Sequence, residues 1–193
     1  MSRTTPGTKK ERTHERIVRS AARALRRDGF AGLGVAEVMQ DAGLTHGGFY
    51  AHFSSREALL AEALESAAAE SAALFDDAAS QGDKAEGLKL VLERYLSDEH
   101  AQAKETGCTL AALGSETRRQ SPELRAVATR RLQKSLAALE GLLPGSAAER
   151  RERAQAAMAT LVGSLVLSRV VTDAELGKSL RRAAKRFLRG ALS

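Results

Sequence analysis

Apolar residues recur at helical spacing along most of the chain. From Glu11 to Arg27, Ile17, Ala21, Ala24 and Leu25 share one helix face, and Arg12, Arg16, Arg19, Arg23, Arg26 and Arg27 cover much of the rest. Asp28-Gly29 predicts the end of this helix, with Gly29 suited to a left-handed cap. Val35, Val38 and Met39 predict a short second helix over Val35–Asp41, stopped by Gly43. Thr45 is a natural N-cap and opens a third helix from His46 to His52. Ser54 and Glu57, three residues apart, read as a capping box before a long Ala/Leu helix that ends near Ala79. Further helices are predicted at Ala85–Ala103, Cys108–Thr117, Pro122–Leu143 and Ala147–Val171. A last one starts at Thr172 or Asp173 and reaches Leu188. The pattern holds no internal repeat and no strand.

Composition supports the same picture. Hydrophobic residues make up 43 % of the 193, enough for a packed core. That share is mainly Ala and Leu, with no Trp and two Tyr, whereas strands favour β-branched and aromatic residues. The expected fold is all-α. Three helices at 11–53 follow a flexible basic arm at 1–10, and a longer helical bundle fills 54–193.

The single cysteine, Cys108, permits no internal disulfide and fits a reducing cytoplasm. No apolar run reaches the ~18 residues of a membrane span. The longest, Leu161–Val171, is interrupted by Gly163, Ser164, Ser168 and Arg169. The expectation is a soluble, cytoplasmic chain without a membrane partner. Enzymatic readings find little footing. The "GLG" at Gly32–Gly34 lacks the strand–helix setting of a phosphate loop, and one Cys with four scattered His makes no metal site. Neither a cofactor nor a metal is expected.

The net charge of +6 points to an anionic partner or simply to solubility, and placement decides between them. Up to Arg27 there are nine cations against two carboxylates. They flank a helix, a tight glycine turn and a second short helix, the order of a helix-turn-helix. The sequence "AGLTHGGFYAHF", Ala42–Phe53, puts Gly47 and Gly48 inside the third helix. Glycine costs a helix interior about 1 kcal/mol against alanine. Two readings account for the pair: close approach of this backbone to DNA, or close packing on the first or second helix.

The stretch "LGVAEVMQDAGLTHGGFYAHFSSREALLAEAL" resembles the DNA-binding signature of tetracycline-repressor-like (TetR family) transcriptional regulators. The likeness runs from Glu11 to Leu64. It rests on the "AG" turn, the Thr-led recognition helix, the aromatics of "FYAHF" and the "SSREALL" that opens the fourth helix. It implies a homodimer on a near-palindromic double-stranded operator, a repressor released by a small-molecule effector. DNA contacts are expected from Lys9, Lys10, Arg12, the backbone at Val35, Thr45, His46, Gly47, Gly48, Tyr50, His52 and Arg56. Phe49 and Phe53 read as a small core. Gly34 departs from the family, which often has Ser or Thr before the second helix.

The rest of the chain matches the family only in length and helix content. An effector pocket is expected among Phe75, Leu92, Tyr95, Leu96, Cys108, Leu110 and Leu113. A dimer face is expected from Ala157, Leu161, Ser164, Leu165 and Ser168, joined by Leu180 and Phe187. Cys108 opens a predicted helix, where a lowered thiol pKa favours reactivity. This leaves a redox- or electrophile-sensing repressor as an alternative to an inert buried thiol. A helical protein-interaction module and a nonspecific nucleic-acid coat are the readings from other classes.

Overall fold

The computed structural model describes residues 8–192, and every regular element in that range is a helix. They are α1 (Lys9–Gly32), α2 (Val35–Asp41), a 3-10 helix (His46–Ala51), α3 (Arg56–Ala79), α4 (Lys84–Tyr95) and α5 (Asp98–Gln102). Then come α6 (Thr109–Thr117), α7 (Pro122–Leu142), α8 (Ala147–Val170) and α9 (Ala174–Leu192).

Local hydrogen bonding sets several boundaries differently from the sequence pattern. Thr8 Oγ1 accepts the Glu11 amide at 3.2 Å while the Glu11 carboxylate accepts the Thr8 amide at 2.6 Å. This capping box starts α1 at Lys9, so Lys9 and Lys10 are helical. The remainder of the expected arm, residues 1–7, lies outside the described residues. At its other end α1 kinks at Gly29 (φ 75°, ψ 179°) and continues to Gly32. The kink frees the Phe30 amide, which donates to Glu116 of α6 at 3.0 Å. A Cβ on Gly29 would lie 2.7 Å from that carboxylate and push it off the Phe30 amide, and the left-handed φ itself disfavours any side chain.

Ser55 rather than Ser54 caps α3, accepting the Ala58 amide at 3.1 Å. The predicted Ala85–Ala103 helix is broken at Leu96. Ser97 restarts the chain as α5 by accepting the His100 amide at 3.0 Å. The segment after Thr45 winds as a 3-10 helix, with Gly48 donating to the Thr45 carbonyl at 3.0 Å.

Two apolar clusters hold the chain together. In the first, Ile17 and Leu25 of α1 meet Met39, Phe49, Leu59 and Leu64, and α6 and α7 contribute Leu113, Leu124 and Val127. In the second, Phe75, Tyr95, Leu139, Leu161, Leu165 and Leu188 join α3, α4, α7, α8 and α9. Each fully buried large apolar side chain is worth about 1.5–3 kcal/mol. Helix α3 runs through both clusters. Because α6 and α7 complete the first, the N-terminal helices are fixed to the bundle by shared core, and α6 packs directly on α1.

Candidate nucleic-acid interface and effector cavity

The turn between α2 and the 3-10 helix forms because Gly43 takes φ 69° and its amide bonds back to Gln40 at 2.8 Å. Beyond it, Phe49 and Phe53 point inward, stacked with ring centres 5.6 Å apart. That leaves Thr45, His46, Gly47 and Tyr50 facing outward. Thr45 has the extended backbone of an N-cap, yet its hydroxyl makes no capping hydrogen bond. Tyr50 is 75 % exposed, its ring held edge-on by Phe49 at 5.2 Å. The two glycines have no internal explanation. Neither has a positive φ. A Cβ on Gly47 would meet nothing within 4 Å, and one on Gly48 would only touch Met39 Cε at an ordinary 3.6 Å. Close packing on the first two helices is thus excluded as the reason for the pair.

Around this segment Lys9, Lys10 and Arg12 are exposed on the first turns of α1, and half-buried Val35 opens α2 behind an exposed Gly34 that offers no side-chain cap. Arg56 and His52 are placed differently from expectation. Arg56 donates to the Phe30 and Leu33 carbonyls and so braces the end of α1 against α3. His52 turns toward α1, its ring 5.9 Å from that of His14 and its Nδ1 buried without a hydrogen-bond partner. Burial first, then the positive surroundings of His14 and Lys10, hold its pKa below the usual histidine value. Sequence spacing put His52 on the helix, but only packing against α1 shows which way its ring points. Arg26 and Arg27, cations of the basic stretch, serve the protein itself. Arg26 is buried and bonds the Ala67 and Glu105 carbonyls and Glu70. Arg27 lies between Asp28, Glu37 and Glu105, and Asp28 first, then Glu105, hold its guanidinium firmly protonated.

A small, mostly apolar cavity of about 40 Å³ lies between α3, α6 and α7. Of the expected lining, Phe75, Tyr95, Cys108 and Leu110 are there. Leu92 and Leu96 lie in the surrounding core, and Leu113 belongs to the first cluster. Sequence reading missed Ser71, Thr109, Arg131 and Ser135, whose polarity hid their inward placement. Ser71 and Thr109 hydroxyls satisfy one another at 2.8 Å. The Tyr95 hydroxyl, by contrast, is buried without a well-aligned partner, near the Cys108 thiol. Burial, reinforced by that thiol, pushes the phenol well above its ordinary pKa. Beside it, His100 Nδ1 is 2.7 Å from the Tyr95 carbonyl and its Nε2 3.0 Å from the Cys108 amide. A carbonyl only accepts and an amide only donates, so His100 is the neutral Nδ1–H tautomer. Burial lowers its pKa further.

The expected dimer stripe on α8 faces inward. Ala157, Leu161, Ser164 and Leu165 are buried in the protomer's own core, and Ser168 is half-buried with its hydroxyl on the Leu165 carbonyl. The choice of stripe failed because α8 is apolar or small on two sides, which spacing alone does not rank. The outward face instead carries Leu167 (53 % exposed) and Val170 (72 %), continued on α9 by Leu176 (46 %) and Phe187 (64 %), with Leu180 half-buried. Among the described residues no helix is long and apolar enough to cross a membrane.

Comparison with known proteins places this geometry. Residues 17–63 match the sequence profile of bacterial regulatory proteins of the tetR family. Over 51 residues, 26 % of the chain, it is 41 % identical to YerO, an uncharacterized HTH-type transcriptional regulator of Bacillus subtilis, and spans only 18 % of that protein's length. The whole fold is similar to that of Escherichia coli NemR in its reduced form, at 17 % identity and TM-score 0.80, covering 94 % of this chain and 97 % of that one. It is similar also to a TetR regulator of Chloroflexus aurantiacus, at 22 % identity and TM-score 0.78, covering 94 % and 96 %.

Proposed function

We propose that this chain, whose residues 17–63 match the tetR family profile, is a cytoplasmic, dimeric, ligand-responsive repressor of that family. One observation carries the DNA reading: the outward Thr45–Tyr50 segment holds two glycines that the fold itself does not need. A bare backbone there lets the segment sit against base edges or the sugar-phosphate wall of the major groove. Thr45, His46 and Tyr50 supply hydrogen-bond groups, and Lys9, Lys10 and Arg12 supply phosphate contacts. Two copies are needed to span successive major grooves, about 34–36 Å apart. The apolar stripe of Leu167, Val170, Leu176 and Phe187 is the surface that pairs them, since each such side chain gains about 1.5–3 kcal/mol on burial.

Release follows from the cavity. At about 40 Å³ it is far below the 300–1,000 Å³ of ordinary ligand pockets, so an effector enters only by moving its walls. Helix α6 is one wall, and it carries Glu116, the acceptor of the Phe30 amide of α1. An effector that displaces α6 therefore shifts the DNA-facing helices, and it favours release to the extent that it binds the shifted state better. The test is operator binding of the purified dimer, followed by screening small apolar molecules for release. Sequence-independent binding with no preferred duplex would leave only the nonspecific-coat reading.

A second reading is favoured by the place of Cys108. Its thiol opens α6 within this cavity beside the buried Tyr95 hydroxyl. Oxidation or alkylation there adds bulk to a filled apolar space and drives the same displacement. Operator affinity that falls on oxidation in the native protein and not in Cys108→Ala supports it; equal behaviour of the two proteins ends it.

A further inference from the structure

A second concavity lies away from both the DNA-facing segment and the apolar cavity. It is an open cleft of about 500 Å³ between the end of α1, the α5–α6 segment, α8 and α9. Six cations line it (Arg26, Arg27, Lys104, Arg169, Lys178 and Arg181) against one carboxylate, Asp98. Four of the six are paired: Arg26 with Glu70, Arg27 with its three carboxylates, Lys178 with Glu175 and Arg181 with Asp98.

The other two are not. Lys104 is exposed and makes no ion pair among the described residues. Arg169 is half-buried and donates only to the carbonyls of Ala101 (3.0 Å), His100 (3.0 Å) and Ala103 (3.3 Å). Its other electrostatic neighbours, Cys108 and Tyr95, are a thiol and a phenol rather than carboxylates. An ion removed from water without a counter-ion is costly, and here burial pulls the guanidinium pKa down. Arg181, 6 % exposed, adds a buried Nε that has no hydrogen-bond partner. With Nε and Nη2 bonded to those carbonyls, Arg169 keeps its Nη1 N–H groups for an anion in the cleft it lines, and a charged donor makes the stronger hydrogen bonds to phosphate or carboxylate oxygens. Low-dielectric walls of a single sign also concentrate anions.

We propose that this cleft binds a small oxyanion of charge −2, a phosphate or dicarboxylate, through Arg169, Lys104 and Arg181. The site takes the anion between the end of α1 and the α8–α9 pair, and it is independent of the reading of the N-terminal segment as a DNA reader.

Isothermal titration with inorganic phosphate and, separately, with succinate tests it, each at an ionic strength matched with chloride. The expected result is saturable binding of one anion per protomer, and the tighter of the two assigns the class. Lys104→Gln, which removes no internal bond, should weaken binding about 3–10-fold. Arg169→Gln should weaken it tenfold or more, with circular dichroism and melting confirming that it folds. Lys89→Gln on α4, outside the cleft, should bind as the native protein does. Absence of saturable heat with both anions, or undiminished binding by Lys104→Gln and a folded Arg169→Gln, overturns the proposal.

Discussion

Gly47→Ala separates what the fold needs from what the partner needs. The new methyl would meet no protein atom within 4 Å, and the backbone has no positive φ to strain. Replacing glycine by alanine at such a position stabilises a protein by about 0.4–1 kcal/mol, chiefly by restricting the unfolded chain. The gain here belongs at the lower end, because the segment is a 3-10 helix of six residues rather than a long α-helix. In the complex the same methyl falls in a contact that the bare backbone was shaped to make. One methyl forced into a packed contact costs about 1–3 kcal/mol. A two-fold dimer meets that cost twice, about 2–6 kcal/mol in all. Operator affinity should then drop about 30-fold or more, at 1.4 kcal/mol per factor of ten. Urea unfolding and fluorescence anisotropy on an operator duplex measure the two effects on one preparation. A Gly47→Ala protein that is equally or more stable and binds tenfold or more weaker fits the reasoning. Native affinity in a folded Gly47→Ala dimer would refute it, because the glycine would then have neither an internal nor an external cause.

Gly29→Ala should destabilise the chain by about 1–3 kcal/mol from backbone strain alone, with more from the Glu116 clash, read as a lowered urea midpoint; an unchanged midpoint would mean the kink relaxes without loss. His100 has a folded pKa below its unfolded value near 6.5, so its contribution is complete above that pH and is lost as pH falls through the folded pKa. Unfolding free energy should therefore decline between pH 7 and 5, and His100→Gln should flatten that slope; an identical slope in the variant would assign the effect elsewhere, His52 being the next group of the same sign. Phe187→Glu removes an aromatic contact twice per dimer and opposes two charges, so sedimentation should show dimer association weakened at least a hundredfold toward monomer, about 3 kcal/mol or more; a dimer of native affinity would remove the α8–α9 face from the interface.

The sequence carried the helices and the reading segment well, for physical reasons. Periodicity marks a helix whose face is buried, and Ile17, Ala21, Ala24 and Leu25 are indeed core. Helix starts set by adjacent residues were legible to within a residue or two, as at Pro122 and Ala147. What depended on distant residues was not. The α1 kink needs Glu116, 86 positions away from Phe30, and the orientation of His52 needs His14. On α8 the stripe of small and apolar residues gave two defensible faces, and only the packing of α7 and α9 decided that Leu161 and Leu165 point inward. Arg26 and Arg56 show the same limit for charge: a basic stretch reads as a partner surface until carbonyls and carboxylates from elsewhere in the fold are found to occupy it.

Selection of bound duplexes from a random library, by the purified dimer at near-physiological salt, bears most directly on the claim that the Thr45–Tyr50 segment reads DNA. The account predicts an enriched two-fold motif with half-sites about one helical turn apart, lost when Gly47 and Tyr50 are both replaced in a folded dimer. Recovery of no motif by the native dimer, or of the same motif by the doubly substituted one, would contradict it.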